Sequence, residues 1–499
     1  MTDKKVIIIG SGLGGLLTGC ILSKEGYNVT VLEKNRQIGG CLQVFARKGC
    51  IFNTGLNYTE GLAEGQNLYK YFKYIGIIDK LNLRRMDMNG FEVITYNNEE
   101  YKFAQGHENF IETLTQKFPN EKQTLTKYVN DIKKISSEFP LYNLRNQQYQ
   151  MSGWDSYEQS ISEYFDALTD NNILKNVLCG TSMLYAGLPK TTPFYIHALI
   201  NHSFINSSWR LVDGSHHLAI ELAKVIQSNG GIVLRNKEVK KLIFTDKKIT
   251  SVKTKEGELF NTALVISNIH PVNTLKMIEG NQVYSAYRNR VISLQNTIGM
   301  FTIYVVLKEN TFEYQNYNHY YHNTSSVWSA ENYFEKEWPD SYMLYTLATS
   351  KSEKYADSLI IMSYMSIKDV EKWENTWLEQ RGEDYLEFKK QRAEKLLDVV
   401  EKKFKNIRNY INCYYTSTPL TYRDYTGTPE GSSYGILKES KNLLKTIILP
   451  KTKIENLFFT GQNLNMHGIL GVTISSVMTC AEIIGQEYLV NKIIESNAE

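Results

Sequence analysis

Residues 6–33 constrain this chain more than any other stretch. Residues 6–9 form a short β-branched run of the kind buried on both faces of a parallel sheet. The run leads directly into Gly10-Ser11-Gly12-Leu13-Gly14-Gly15, where Gly10, Gly12 and Gly15 satisfy the pattern GxGxxG. A helical pattern occupies 16–25, then come a turn at 26–28, a second strand over 29–32 and an acid, Glu33. That order predicts a dinucleotide-binding βαβ unit. Gly10 permits the tight turn, Gly12 lets the backbone approach a pyrophosphate, and Gly15 lets the helix pack closely on the sheet. Amide groups at the helix start, around Leu13 and Gly14, would face the phosphates at the positive end of the helix dipole. Glu33 lies 23 residues after Gly10, where a carboxylate accepts from ribose hydroxyls and repels a 2′-phosphate, which argues against NADP. A glycine turn without a ligand is the bland alternative, and the register of strand, helix and acid weighs against it.

Composition narrows the remaining classes. The 499 residues carry 56 Lys and Arg against 53 Asp and Glu, a net charge of +3, which excludes a generic nucleic-acid coat. At roughly 150 residues per domain, the length predicts about two to four domain-sized units. Only 9 prolines and 32 glycines occur, with no low-complexity tract. The six cysteines form no CxxC pair and read as reduced thiols of a cytoplasmic protein. Residues 6–22 are apolar but glycine-broken and flanked by Asp3, Glu25 and Glu33, a poor match to a signal peptide. No run reaches the roughly 20 apolar residues that span a bilayer. The nine histidines show no HExxH or other ligand spacing, so no metal site is expected.

The residues after Glu33 bear on the ligand. Glu33-Lys34, Arg36, the pair Gly39-Gly40 and the stretch from Cys41 to Asn57 (CLQVFARKGCIFNTGLN) resemble the second nucleotide motif of the flavin-dependent amine oxidase and phytoene desaturase superfamily. The resemblance implies FAD, with contacts at Lys34, Arg36, Gly39, Gly40, Cys41 and Asn57. The chain departs from the family pattern at Asn53, where an Asp is usual, so one charge near the cofactor is removed. The block at 212–242 (VDGSHHLAIELAKVIQSNGGIVLRNKEVKKL) resembles the family's segment that holds the adenine, which would fall to the backbone of Val239. Near the end, NLFFTGQNLNMHGILGVTISSVMTCAEIIG resembles the closing motif of the retinol saturase and carotenoid isomerase branch. There the turn meets the ribityl chain and a helix start aims N–H groups at the flavin pyrimidine, which implies roles for Gly461, Gln462, Gly468, Gly471 and Val472. The segment 419–435 also matches that branch and is expected beside the flavin.

Local patterns fill in the rest. Strands are predicted at 232–235, 239–244, 263–267, 299–307, 342–345, 359–364 and 456–460, and an amphipathic helix at 383–405. Ser215 reads as the N-cap of a helix through 228. Residues 68–85 mix aromatic, aliphatic and basic side chains, as either a membrane-interfacial helix or an ordinary packed one would. The expected fold class is α/β: a Rossmann-type FAD-binding domain of the amine-oxidase type, built from 1–80, 200–285 and 430–499, with an inserted α+β substrate domain from 81–199 and 286–429.

The resemblance implies hydride exchange at a flavin with a carbon–carbon double bond of a long apolar polyene or isoprenoid: saturation, desaturation or cis-trans isomerisation. A flavin amine oxidase and a catalytically silent flavoprotein are the competing readings. One dinucleotide fingerprint implies that an external electron donor visits the same flavin or that a partner supplies the electrons. His467 is the candidate proton donor or polariser, since imidazole exchanges a proton near neutral pH, with a purely structural bond as its alternative. Tyr425 and Arg423 are further catalytic candidates, whereas His216 and His217 read as capping or surface groups. The expected partners are an apolar small molecule and a peripheral membrane surface, no nucleic acid, with oligomeric state left open. The expected place is the cytoplasm, including the inner face of the membrane.

Overall fold

Val6, Ile7, Ile8 and Ile9 are all buried, as a strand enclosed on both faces requires. In the computed structural model, which describes residues 4–145, 157–323, 326–331 and 333–498, the strand Lys5–Ile9 is the centre of a five-stranded parallel sheet. Its order is Ile232–Leu234, Asn28–Leu32, Lys5–Ile9, Leu264–Ser267 and Leu457–Phe459. The helix Leu13–Lys24 is buried from Leu13 through Ser23, because it lies between two others, His216–Ser228 and Gly468–Ile484. A three-stranded antiparallel sheet, Val239–Thr245, Lys248–Thr254 and Leu259–Asn261, accompanies this layer.

A seven-stranded sheet forms the other half: Ile411–Ser417, Gly299–Leu307, Ser358–Met365, Ser341–Thr346, Asn318–His322, Glu92–Tyr96 and Glu99–Phe103. Its pairs are antiparallel except for Asn318–His322 with Glu92–Tyr96. Every residue of Gly299–Leu307 is buried, since the two faces serve two cores. Phe301, Ile303 and Val305 meet Ala393, Leu396, Leu397 and Val400 of the helix Glu383–Lys403, whereas Met300, Tyr304 and Val306 join the core shared with the nucleotide layer.

The strands of the parallel sheet all come from the segments expected to bind FAD, and those of the seven-stranded sheet from the segments expected to bind substrate. Two elements cross the expected divisions. The helix Phe194–Asn206 runs through the division placed at 200, and Leu83–Arg85 pairs with Ser208–Leu211 across the division placed at 80. Residues 146–156, 324–325 and 332 of the expected substrate portion lie outside the described residues.

Two local expectations are corrected. Ser215 precedes the helix His216–Ser228 but makes no capping bond; its hydroxyl donates to the Leu42 carbonyl or the Asn53 side chain instead. Residues 68–85 are not an interfacial helix: the helix Asn67–Ile75 stops at Gly76, whose φ of +89° suits glycine alone, and Leu83–Arg85 is a strand. Leu68, Tyr71, Phe72, Tyr74 and Ile75 are buried in the core, and the helix packs against Gln486–Glu495. No helix among the described residues is long and apolar enough to cross a membrane.

Candidate functional site

The glycine turn works through what it leaves out. A Cβ on Gly15 would overlap the Gly10 carbonyl oxygen, and one on Gly14 would stand 2.8 Å from the Cα of Gly461. The two ends of the chain therefore meet backbone to backbone, and Ser476 Oγ adds a 3.2 Å bond to the Gly14 carbonyl. Asn268, just past the strand Leu264–Ser267, reaches into the same junction and donates from Nδ2 to the Gly10 carbonyl at 3.3 Å. Its side chain also occupies the space that a Cβ on Gly12 or Gly461 would need.

These groups open onto one cavity of about 700 Å3. Gly10, Gly12, Leu13, Gly14, Glu33, Lys34, Gly39, Gly40 and Cys41 line it from the nucleotide side, with Val239 beside them. Gln462, Gly468, Gly471 and Val472 line it from the closing turn and helix, and Asn57 faces it with Oδ1 unpaired. Gly15 and Gly461 sit behind this wall as packing contacts, and Arg36 is exposed and does not line it.

Glu33 is more committed than its spacing suggests. Oε2 accepts from the Ser11 amide at 2.9 Å and the Ser11 hydroxyl at 2.6 Å, and Oε1 accepts from the Asn35 amide at 2.8 Å. A carboxylate has about four acceptor directions. One therefore remains on Oε1 for a ribose hydroxyl, and the acid also fixes the turn that carries the glycines. Lys34 is equally engaged: Nζ donates to the Asp424 carbonyl at 2.8 Å, and burial lowers its pKa. Asn53 accepts the Ser215 amide at 2.9 Å through Oδ1, a bond that needs no negative charge, so replacing the usual Asp leaves this contact intact.

The helix Gly468–Ile484 starts at His467 without a side-chain cap, so its first N–H groups face the cavity. One is held by Glu60, a buried carboxyl on the short strand Thr59–Glu60: its Oε1 accepts from Leu470 N at 3.3 Å and its Oε2 from the Thr59 hydroxyl at 3.3 Å. Burial raises the Glu60 pKa against the lowering effect of these bonds. Lys438 supports the turn from behind, with Nζ donating to the carbonyls of Asn463 at 3.0 Å and Thr446 at 2.9 Å. Burial brings that amine down to about 7.

His467 lines the cavity, but its chemistry differs from expectation. Nε2 stands 3.0 Å from the Leu184 carbonyl, which can only accept, so the ring proton sits on Nε2 and is already donated. Burial holds the imidazole down at about 4, and its ring packs 4.4 Å from that of Tyr434. A neutral ring with its proton engaged is a poor acid for substrate. Tyr425 lines the cavity mouth, is 48% exposed, and its carbonyl accepts from Asn35, two residues after Glu33. Arg423 does not line the cavity; it bonds the Glu374 carbonyl and pairs with Asp424. Of the three catalytic candidates, His467 and Tyr425 share the cavity wall and Arg423 stands outside it.

Past the closing turn the cavity becomes apolar. Leu199, Ile200 and Phe204 of one helix face Met343, Tyr345 and Met362 of the seven-stranded sheet. Tyr422, Thr426, Thr428 and Tyr434 of segment 419–435 also line the cavity, residues 424–427 lying beside Lys34, Asn35 and Asn273 of the nucleotide side. No group of three or more His, Cys, Asp and Glu that could hold a metal ion occurs among the described residues.

Known proteins share this plan. The family described as flavin containing amine oxidoreductase matches residues 13–484. The chain belongs to that family. FAD is its cofactor, and the backbone cradle, the free acceptor direction on Glu33 and the uncapped helix all fit such a group. Human all-trans-retinol 13,14-reductase is 25% identical over 96% of this chain and 85% of its own length. The 4,4'-diaponeurosporene oxygenase of Staphylococcus aureus is 23% identical over 97% of this chain and 99% of its own. The structure of putrescine oxidase bound to putrescine superposes with a TM-score of 0.64 at 13% identity, over 96% of this chain and 98% of that one, which shows the shared fold. Like other members of this family, the protein is an FAD-dependent oxidoreductase.

Asn268, Glu60 and Lys438 do not stand out as site residues in the sequence. Only Asn268 carries a signal, since it ends the predicted return strand, where a parallel sheet presents its ligand-binding edge.

Proposed function

We propose that the protein exchanges hydride through FAD with a carbon–carbon double bond of a long, apolar polyene or isoprenoid. The observation that carries this reading is the continuity of the cavity, which runs from the nucleotide cradle past the uncapped helix into an apolar arm. The relatives named for a retinol reductase and a diaponeurosporene oxygenase support the same substrate class. FAD supplies the hydride acceptor or donor; the chain orients both partners and excludes water. Leu199, Ile200, Phe204, Met343 and Met362 offer an extended hydrocarbon an apolar surface along its length. First-turn N–H groups of Gly468–Ile484 stabilise negative charge, and Glu60 fixes that turn through Leu470. His467 acts as a positioning residue that ties the turn to Leu184.

An amine oxidase fits the apolar arm less well, because Glu60 is the one acidic side chain lining it among the described residues and both its oxygens are engaged. With one nucleotide cradle, the electrons come from an external donor that reaches the same flavin. The cytoplasm suits the protein, where its six unpaired cysteines stay reduced.

The test is anaerobic. Purified FAD-loaded protein is reduced with dithionite and mixed with retinoids, carotenoids and other isoprenoid polyenes. Reoxidation with a two-hydrogen mass gain is expected. Flavin reduction by amines, with no polyene changed in mass or geometry, would overturn the reading, as would stable bound FAD with no turnover at all.

A further inference from the structure

Beneath the apolar arm lies a polar cluster that flavin binding does not use. Glu92, at the start of its strand, is 1% exposed. Neither carboxyl oxygen has a hydrogen-bond partner, and Nε and Nη1 of Arg210 and Nδ2 of Asn318 are unpartnered as well. Arg210 is held in place by Nη2, which donates to the Tyr317 carbonyl at 3.1 Å and to Asn318 Oδ1 at 2.7 Å. Tyr58 and Asn318 face the Glu92 carboxyl without closing on it, and Arg210 attracts it. Buried polar atoms are rarely left bare, and five of them gathered in one place suit ordered water.

The cluster has an outlet. The Tyr58 and Tyr320 hydroxyls are 2.7 Å apart, and Tyr58 lines the cavity while Tyr320 and Glu92 do not. Tyr345, also on the cavity wall, has its ring 5.8 Å from that of Tyr58. Tyr58 thus stands between the cavity and the buried acid, with the Tyr320 hydroxyl bonded to it.

We propose that Glu92, Tyr320 and Tyr58, with water held among Glu92, Arg210 and Asn318, form a proton relay that supplies the proton for saturation, Tyr58 being the donor that touches substrate. This deepens the polyene reading and rests on it. FAD, when bound and reduced by a two-electron donor such as the dithionite of the assay, would supply hydride to one carbon of the double bond. Its neighbour receives the proton of Tyr58 as that O–H bond breaks. The phenolate, held by the Tyr320 hydroxyl, is reprotonated from Glu92, which Tyr58 faces, and the Glu92 carboxylate regains its proton from solvent through the water of the cluster. Burial pushes Glu92 up to about 8, against the lowering influence of Tyr58, Asn318 and Arg210, so the acid is loaded at neutral pH. Tyr320 and Tyr345 are the other titratable groups that face it. Glu60 lacks such a supply, since both its oxygens serve as acceptors.

The test uses FAD-loaded wild type, Glu92→Gln, Tyr58→Phe and Glu60→Gln, each checked for its flavin spectrum. Wild-type saturation should fall as pH rises through about 8, where Glu92 loses its proton. Glu92→Gln should abolish that fall and slow saturation at neutral pH, and Tyr58→Phe should slow it about 100-fold at every pH. Glu60→Gln should keep the fall. Infrared spectra of the flavin-free protein should show a neutral carboxyl band at pH 7 that is missing in Glu92→Gln. An unchanged pH profile in Glu92→Gln, a wild-type rate in Tyr58→Phe, or an ionised Glu92 at pH 7 would overturn the relay alone. A wild type that saturates no polyene would overturn the functional reading and the relay's task with it.

Discussion

The nucleotide cradle and the apolar chamber are built from different materials. The cradle is made of backbone: glycines that admit close approach, N–H groups at two helix starts, and one acid, Glu33, holding the turn. The chamber is made of side chains, with tyrosines, histidines and carboxyls buried against one another. Tyr128 and Tyr185 both bond His197, Tyr142 bonds His202, and Tyr58 bonds Tyr320. A backbone site tolerates changes in protonation, whereas a side-chain site depends on it.

The largest expected effect separates the two by pH. Burial holds His197 and His202 down at about 3, and His107, His319 and His322 at about 4, all in the chamber half. In the cradle half His270 and His467 are each held at about 4, and burial lowers His216 as well. Between 6.5 and these values the unfolded chain binds more protons than the folded one. Stability that is complete above about 6.5 should therefore be lost as pH falls toward 4, by several kcal/mol in total at roughly 1.4 kcal/mol per unit and site. Hydrogen exchange at pH 5 against pH 7 should open the chamber first; equal opening of both halves would erase the contrast.

Next in size is Gly15→Val, which places a side chain where the Gly10 carbonyl already stands. A destabilisation of about 3 kcal/mol and loss of bound flavin are expected, read from thermal melts and the flavin absorbance of purified protein. Normal flavin content would show that the cradle depends less on backbone contact than its geometry implies. Glu33→Ala removes the acceptor of three bonds from the chain and the free direction left for ribose. FAD affinity should drop by about 2 kcal/mol, close to 30-fold, in a titration of the flavin-free protein. Last, His467→Ala deletes the bond to Leu184 and the ring contact with Tyr434. About 1 kcal/mol of stability should be lost and turnover slowed with FAD retained. An unchanged melt with abolished turnover would restore the ring to a chemical role.

Much of the cradle is legible in the sequence because its determinants are local. A β-branched run, spaced glycines, a helix and an acid at a fixed distance specify one another within about 30 residues. The closing helix is legible for the same reason. Ser215 has the residue type and place of a cap yet caps nothing, because Asn53 and the Leu42 carbonyl offer its hydroxyl better partners. The segment 68–85 admits two readings until Gly76 ends its helix and the C-terminal helix covers its apolar face. In the chamber, Glu92 meets Asn318 through strand pairing and Arg210 through the packing of a strand from another sheet, each across more than a hundred residues. No spacing rule announces such a meeting, and isolated residues such as Glu60 and Lys438 look like ordinary surface charges in the sequence.

The junction of Gly14 with Gly461 and Ser476 has a consequence for how the protein is made. The first strand, turn and helix leave the ribosome early, yet the wall that completes their binding surface belongs to residues 457–472. Contacts so far apart in sequence form late. A nascent chain therefore carries an unfinished glycine turn until residues 457–472 have been made, and flavin capture waits on that distant segment.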